Sequence, residues 1–294
     1  MIIRAIPVEK PEHLRGRVNY YFRAQRFGKT YLKNKNQILL DLKVKEEFEN
    51  ASLSSPLKST KEFLDFMSDA VPGGEIYLFG GILRDLALYG KKGFDSDIDI
   101  VIEGKWEHFV EYLLSLNAKK NKFGGYRVVV DETPVDIWNA KETWAIRQGY
   151  VAYKGVSSLL DTTVLNWDGI LMNWRTKNFI HREQYFDELK ERALDIVLKE
   201  NPNPLGMAVR VFRHMYLKDA RKISINAVRY LIECVRKYSY DELRRTEYKS
   251  YKKCFIKKPL YDFFRNIKCD DMETICHNFG IESKIARNSL ELAF

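Results

Sequence analysis

Two carboxylates two positions apart, Asp97 and Asp99, open the apolar run over residues 98–102. Side chains at i and i+2 of a strand share a face, so a strand here presents two hard oxygen donors side by side. Such a pair suits Mg²⁺ carrying a triphosphate, and Mn²⁺ accepts the same donors. Asp95 shares the alternation but follows Gly93-Phe94 in a loop, whereas Asp97 and Asp99 are interleaved with Ile98, Ile100, Val101 and Ile102. Asp97 and Asp99 are therefore the expected metal ligands. Upstream, Leu78-Phe79 runs into Gly80-Gly81-Ile82-Leu83-Arg84-Asp85. A strand entering a Gly-Gly turn that opens a helix brings backbone N–H groups to phosphate oxygens with no Cβ in the way. Gly80 and Gly81 are the expected donors, and Arg84 is placed to contact phosphate or sugar. Either piece alone reads as a tight turn or a solvated strand end. Their order, with the basic loop Lys91-Lys92 between them, implies metal-dependent nucleotidyl transfer from an NTP.

The elements that position these residues can be read from the pattern. Ser59 or Thr60 caps a helix to about residue 70, with Phe63, Leu64 and Met67 on one face and Val71-Pro72-Gly73-Gly74 as its stop. Strands are expected at 76–79 and about 98–102. Trp106, Phe109, Val110, Leu113 and Leu114 recur at helical spacing, so 105–116 is a helix packed on the sheet. Strands at 126–130 and 134–137 are joined by a turn at Asp131-Glu132, and two short strands flank 173–178. Beyond 182 the pattern is helical, with Leu189, Leu194, Ile196 and Val197 on the apolar stripe. The expected class is α+β: a catalytic head over 59–182 with a mixed sheet and helices on one side, then a helical neck and body over 183–294. Residues 1–58 read as a basic N-terminal extension ending in the linker-like Ala51-Ser52-Leu53-Ser54-Ser55-Pro56.

The 294 residues carry a formal charge of +9, unevenly spread. Residues 1–60 hold 12 Lys/Arg against 6 Asp/Glu, residues 61–217 hold 20 against 23, and residues 218–294 hold 17 against 11. A slightly acidic core between basic flanks suits a metal site working on a polyanion, with RNA the expected acceptor. Aromatics interleave with the basic residues at Tyr20-Tyr21-Phe22-Arg23, Arg26-Phe27, Tyr248 and Tyr251-Lys252-Lys253. Unpaired bases stack on such rings, although part of any such set belongs to the core. Cys234, Cys254, Cys269 and Cys276 form no Cys-x-x-Cys pair, and reduced thiols in a cytoplasmic protein are expected. The first residues are too soon interrupted for a signal sequence, and no apolar run is long enough to span a membrane.

On these motifs the chain resembles the head domain of class II tRNA nucleotidyltransferases (CCA-adding enzymes) and bacterial poly(A) polymerases, within the DNA polymerase β-like nucleotidyltransferase superfamily. The family's Gly-Gly-x-Val-Arg-Asp has Leu83 in place of Val here. Val135-Asp136-Ile137 resembles the strand bearing the family's third carboxylate, which implies that Asp136 completes the metal site and helps receive the acceptor proton. The resemblance also implies that Asp85 supports the ribose region. Phe186-Asp187-Glu188-Leu189 and Arg192 resemble the passage from head to neck, and Asn203-Pro204-Leu205 with Arg210, Val211 and Phe212 resembles the helix that reads the incoming base. Asn203 and Arg210 are thereby candidate nucleotide-binding residues.

Two departures stand out. The family's base-reading Glu-Asp-x-x-Arg is Pro202-Asn203-Pro204-Leu205-Gly206 here, so an amide replaces the carboxylate and Gly replaces Arg. The family's Arg-Arg-Asp before the last head strand is missing from Asp161-Thr162-Thr163-Val164-Leu165-Asn166-Trp167-Asp168. The expectation is metal-dependent addition of nucleotides to an RNA 3′ end, by resemblance that of tRNA, with altered choice of nucleotide. A transferase of toxin or defence type acting on a tRNA end, protein or small molecule, and an idle RNA- or partner-binding relative, are the alternatives.

Overall fold

The computed structural model describes residues 5–23, 59–94, 97–116, 118–130, 133–267 and 289–291. The chain divides into two compact units. The first comprises Lys10–Leu160 and Asp168–Arg182; the second comprises Met1–Glu9, Asp161–Trp167 and Glu183–Phe294. Asp95, Arg26, Phe27, Cys269, Cys276, the 51–56 linker and the Asp131-Glu132 turn lie outside the described residues.

The first unit is built on a seven-stranded mixed sheet of β1 (Glu75–Phe79), β2 (Ile98–Glu103), β3 (Lys119–Lys120), β4 (Tyr126–Val130), β5 (Thr133–Asn139), β6 (Ile170–Asn173) and β7 (Phe179–His181). Their spatial order is β3-β4-β5-β2-β1-β6-β7. β2 and β5 run parallel and the other described neighbours antiparallel. Alternation divides the sheet. One face carries Ile76, Leu78, Ile98, Ile100, Ile102, Val135 and Ile137, each at most 2% exposed. Helices α2 (Thr60–Ala70) and α3 (Gly81–Tyr89) pack against it at β1. Each such Ile or Leu contributes about 1.5–3 kcal/mol by leaving water. The other face carries Phe79, Asp99, Asp136 and Trp138, and there Tyr77, Val101 and Leu171 pack with Ala140, Val156, Leu159 and Leu160.

Ser59 caps α2 as expected, accepting from the Glu62 N–H at 3.2 Å. In α4 (Trp106–Ser115) Phe109 and Leu113 are buried while Leu114 is 55% exposed, so the apolar stripe is narrower than its spacing suggested. Part of the expected extension is structural. Helix α1 (Pro11–Arg23) belongs to the sheet's unit. Its Arg17 donates to the carbonyls of Leu86 and Ala87 at 3.0 and 2.8 Å, satisfying the last turn of α3. Tyr21 and Phe22 are buried, with Phe22 edge-on to Trp174 and Tyr21 to Phe94, leaving Tyr20 as the exposed ring.

After the short helix α5 (Trp144–Arg147), the second unit holds α6 (Tyr185–Glu191), α7 (Pro204–Leu217), α8 (Ile225–Lys237), α9 (Tyr240–Tyr251) and α10 (Lys258–Asn266). It also contains a three-stranded sheet of β8 (Ala193–Leu194), β9 (Lys222–Ser224) and β10 (Ser289–Glu291), where the sequence pattern is purely helical. Strands of two or three residues are too short for a period-2 signal. Glu247 is fully buried, paired with Arg213 at 2.8 Å and accepting from the N–H groups of Phe255 and Ile256. Among the described residues no helix is long and apolar enough to cross a membrane.

Candidate active site

The β-register brings the carboxylates together. Asp99 lies opposite Asp136 on the parallel pair β2–β5, and opposite Phe79 on the antiparallel pair β1–β2. Register partners share a face, so Asp99 and Asp136 project to the same side. Asp97 precedes β2 by one residue rather than lying inside it, and is exposed. Across β4–β5, Asp136 lies opposite Arg127.

Arg127 was not singled out from the sequence, and it links two of the three carboxylates. Its Nε donates to Asp136 Oδ1 at 2.7 Å and its Nη2 donates both to Asp136 Oδ2 and, at 2.8 Å, to Asp97 Oδ2. Arg127 and Asp97 are about half exposed, while Asp136 keeps 20%. The bond to Asp136 raises the guanidinium above its usual value, against a smaller lowering by burial, and the charges of Asp136 and Asp97 add to the rise. Among the described residues no three acidic, histidine or cysteine side chains are gathered to close a metal site. The donors nevertheless fit a hard divalent cation: two carboxylates converge on one cationic nitrogen, and a third stands in register beside them.

The Gly-Gly turn is fixed from the opposite neighbour of β1. Gly80 has φ +62° and ψ −114°, a conformation that requires glycine. Its N–H donates to the Ile170 carbonyl at 3.0 Å, so the expected donation to phosphate by Gly80 is corrected: that hydrogen is spent within the fold. Gly81 is the first residue of α3, where helix geometry leaves N–H groups without intrahelical partners.

Arg84 and Asp85 also depart from expectation. Both are buried, at 2% and 0% exposure, as the first turns of α3 sink into the unit. Arg84 Nε donates to Asp85 Oδ1 at 2.8 Å and its Nη1 donates to Asp168 Oδ1. The anticipated contacts of Arg84 with phosphate or sugar, and of Asp85 with ribose, give way to an internal ion triad tying α3 to the segment entering β6. Asp168, which carries no local motif of its own, is its third member.

Asn203 and Arg210 lie in the second unit, on α7. Asn203 is the N-cap: its side-chain oxygen accepts the Gly206 N–H at 3.1 Å, with Pro204 in the first turn. A Cβ at position 206 would stand 2.2 Å from Asn203 Nδ2. The two departures from the family's base-reading motif are thus one local arrangement, in which the amide folds over a glycine. The Arg210 carbonyl bonds His214 Nδ1 at 2.8 Å.

Residues 60–146 match the nucleotidyltransferase domain family. No curated protein matches the chain in sequence. Among solved structures, the Thermotoga maritima CCA-adding enzyme complexed with tRNA matches at 20% identity and a TM-score of 0.50, over 83% of this chain and 55% of that one. A CCA-adding enzyme with CTP matches at 20% identity and a TM-score of 0.49, over the same shares. A tRNA nucleotidyltransferase with a primer tRNA and an ATP analogue matches at 15% identity and a TM-score of 0.47, over 70% of this chain and 60% of that one. The chain therefore shares the fold of the first and spans about half its length.

Proposed function

We propose that the nucleotidyltransferase domain at residues 60–146 transfers a nucleotidyl group from an NTP to the 3′ hydroxyl of an RNA in the cytoplasm, releasing pyrophosphate. The observation that carries this reading is the register of Asp99 with Asp136, with Asp97 two residues before Asp99 and joined to Asp136 through Arg127. Asp97 and Asp99 would hold Mg²⁺ or Mn²⁺, with Asp136 completing the set. Bound divalent cations supply neutralisation of the triphosphate and a more acidic acceptor hydroxyl.

The chain's own residues do the positioning. The acceptor oxygen bonds to the α-phosphorus as the bond to the bridging oxygen breaks and pyrophosphate leaves, with Asp136 taking the hydroxyl proton. Asp99, on the rigid central strand β2, fixes where that charge develops. The triad of Arg84, Asp85 and Asp168 acts from behind, holding the start of α3 and so the Gly80-Gly81 turn at a set height over β1. These three are positioning residues.

Base choice is a separate matter. Asn203 spends its side-chain oxygen on the helix and position 206 offers no guanidinium, so α7 lacks the Asp and Arg pair that reads base edges in the family this chain resembles. The reading is therefore transfer without the C-then-A selectivity of a CCA-adding enzyme. Exposed Tyr248 and Tyr251 beside Lys252 and Lys253 support a single-stranded RNA acceptor, with the tRNA 3′ end the first candidate.

Incubation with total RNA, each α-labelled NTP in turn and Mg²⁺ or Mn²⁺ tests this. Labelled product destroyed by RNase is expected, with more than one base accepted. Label that survives RNase and is lost with protease would move the acceptor to protein and overturn the RNA assignment.

A further inference from the structure

Positive charge already occupies the place where the carboxylates meet. One nitrogen, Arg127 Nη2, donates to both Asp97 Oδ2 and Asp136 Oδ2, while Nε of the same guanidinium holds Asp136 Oδ1. We propose that Arg127 is a resident counter-cation of the carboxylate site, and that a divalent ion binds there by displacing it. This inference rests on the reading of Asp97, Asp99 and Asp136 as the metal-holding groups.

The chemistry of displacement is favourable on three counts. Arg127 and Asp97 are about half exposed, so the guanidinium can swing into water without leaving a bare charge buried. The pair to Asp97 is half exposed and weak, and the forked pair to the more buried Asp136 is the stronger one, which a doubly charged ion attracted to two or three carboxylates replaces. The register partner of Arg127 on its far side is Lys119, another cation, so β3 offers no acid opposite Arg127 to capture the released group. Arg127 then stands beside the site as a charge complementary to a triphosphate. Before the ion arrives it neutralises Asp136 and Asp97, whose repulsion would otherwise bear on the β2–β5 pairing.

Manganese binding, read from the loss of the free Mn²⁺ electron paramagnetic resonance signal, tests this without any turnover. Arg127→Gln removes the charge at a half-exposed position and keeps much of the side chain's bulk. It is expected to bind Mn²⁺ about three- to tenfold more tightly than wild type, the scale of a competing half-exposed ion pair that is no longer broken. Arg127→Lys keeps one charge without the fork and is expected in between. The rise in melting temperature on adding Mn²⁺ should be larger for Arg127→Gln than for wild type. Equal or weaker Mn²⁺ binding by Arg127→Gln overturns the inference while leaving the metal-site reading in place. Undiminished Mn²⁺ binding by Asp97→Asn/Asp136→Asn overturns the metal-site reading itself, and the inference with it.

Discussion

Asp99 and Asp136 are register partners across the single parallel pairing, β2 with β5, among the described strands of the seven-stranded sheet. Parallel pairing sets two residues from distant stretches of chain at the same height along the sheet, and here both are acidic. The antiparallel neighbours then place Phe79 beside Asp99 and Arg127 beside Asp136. The row thus passes from aromatic through two acids to a base, and the opposite face of the central strands carries Ile76, Leu78, Ile98, Ile100, Val135 and Ile137.

The internal triad makes Arg84 a stability residue first. Arg84→Met leaves Asp85 fully buried and Asp168 nearly so, both without the guanidinium. Removing one partner of a buried ion pair costs about 3–5 kcal/mol, because the remaining charge stays in a poor solvent. Urea unfolding should show a loss of that size, and Arg84→Lys should recover only part of it, since a compact ammonium lacks the fork that reaches the two acids from separate nitrogens. A loss under about 1 kcal/mol for Arg84→Met would contradict the buried triad.

Gly80→Ala tests the turn. The space is adequate, since a Cβ would meet the Asp168 carbonyl at an ordinary 3.5 Å. The cost comes from the backbone, at φ +62° and ψ −114°, and should be about 1–3 kcal/mol. Calorimetry checks it, and an alanine variant as stable as wild type would refute the strained turn.

The Asn203–Gly206 arrangement predicts coupling. Asn203→Ala should cost about 1 kcal/mol as a lost N-cap. Gly206→Ala should be close to neutral in wild type, because relief of glycine entropy in the helix offsets displacement of the cap. In the Asn203→Ala background the same change should stabilise by up to about 1 kcal/mol. Additive effects in a double-mutant cycle would show that the two residues do not touch.

Lys177 gives the pH prediction. Burial pushes its ammonium down to about 8, with Asp65 opposing the shift and Lys61 adding to it. The folded state therefore holds this proton more weakly than the unfolded chain, whose lysine titrates near about 10.4. Protonation opposes folding, so stability should rise as pH climbs from about 8 towards 10. The rise should end there, because Tyr153, partly buried and hydrogen-bonded to Glu103, resists ionisation in the fold. Urea midpoints of wild type should rise across that window and those of Lys177→Met should rise less.

The sequence pattern located strand β2, the Gly-Gly turn and most head elements because each is local. Ser59 caps the helix that begins at the next residue, and β2 runs Ile98–Glu103 where an apolar run stands between acids. What escaped depends on partners distant in sequence. Arg84 meets Asp168 across 84 residues of chain, and nothing near Arg84 shows that its helix is buried on all sides. Arg127 lies in a plain alternating strand and becomes part of the site only through the β4–β5 register. Tyr21 and Phe22 carry the same local signature as a stacking surface, yet they pack into the unit's interior.

Nucleotidyl transfer, as proposed, depends on Asp97 and Asp99. Its direct measurement is incorporation of α-labelled NTP into RNA by wild type and by Asp97→Asn/Asp99→Asn, whose fold is checked by circular dichroism. Wild type should label RNA in Mg²⁺ or Mn²⁺, and the folded variant should lose at least about a thousandfold, the scale expected when the charge that stabilises a transition state is removed. Labelling retained by the variant would contradict that dependence.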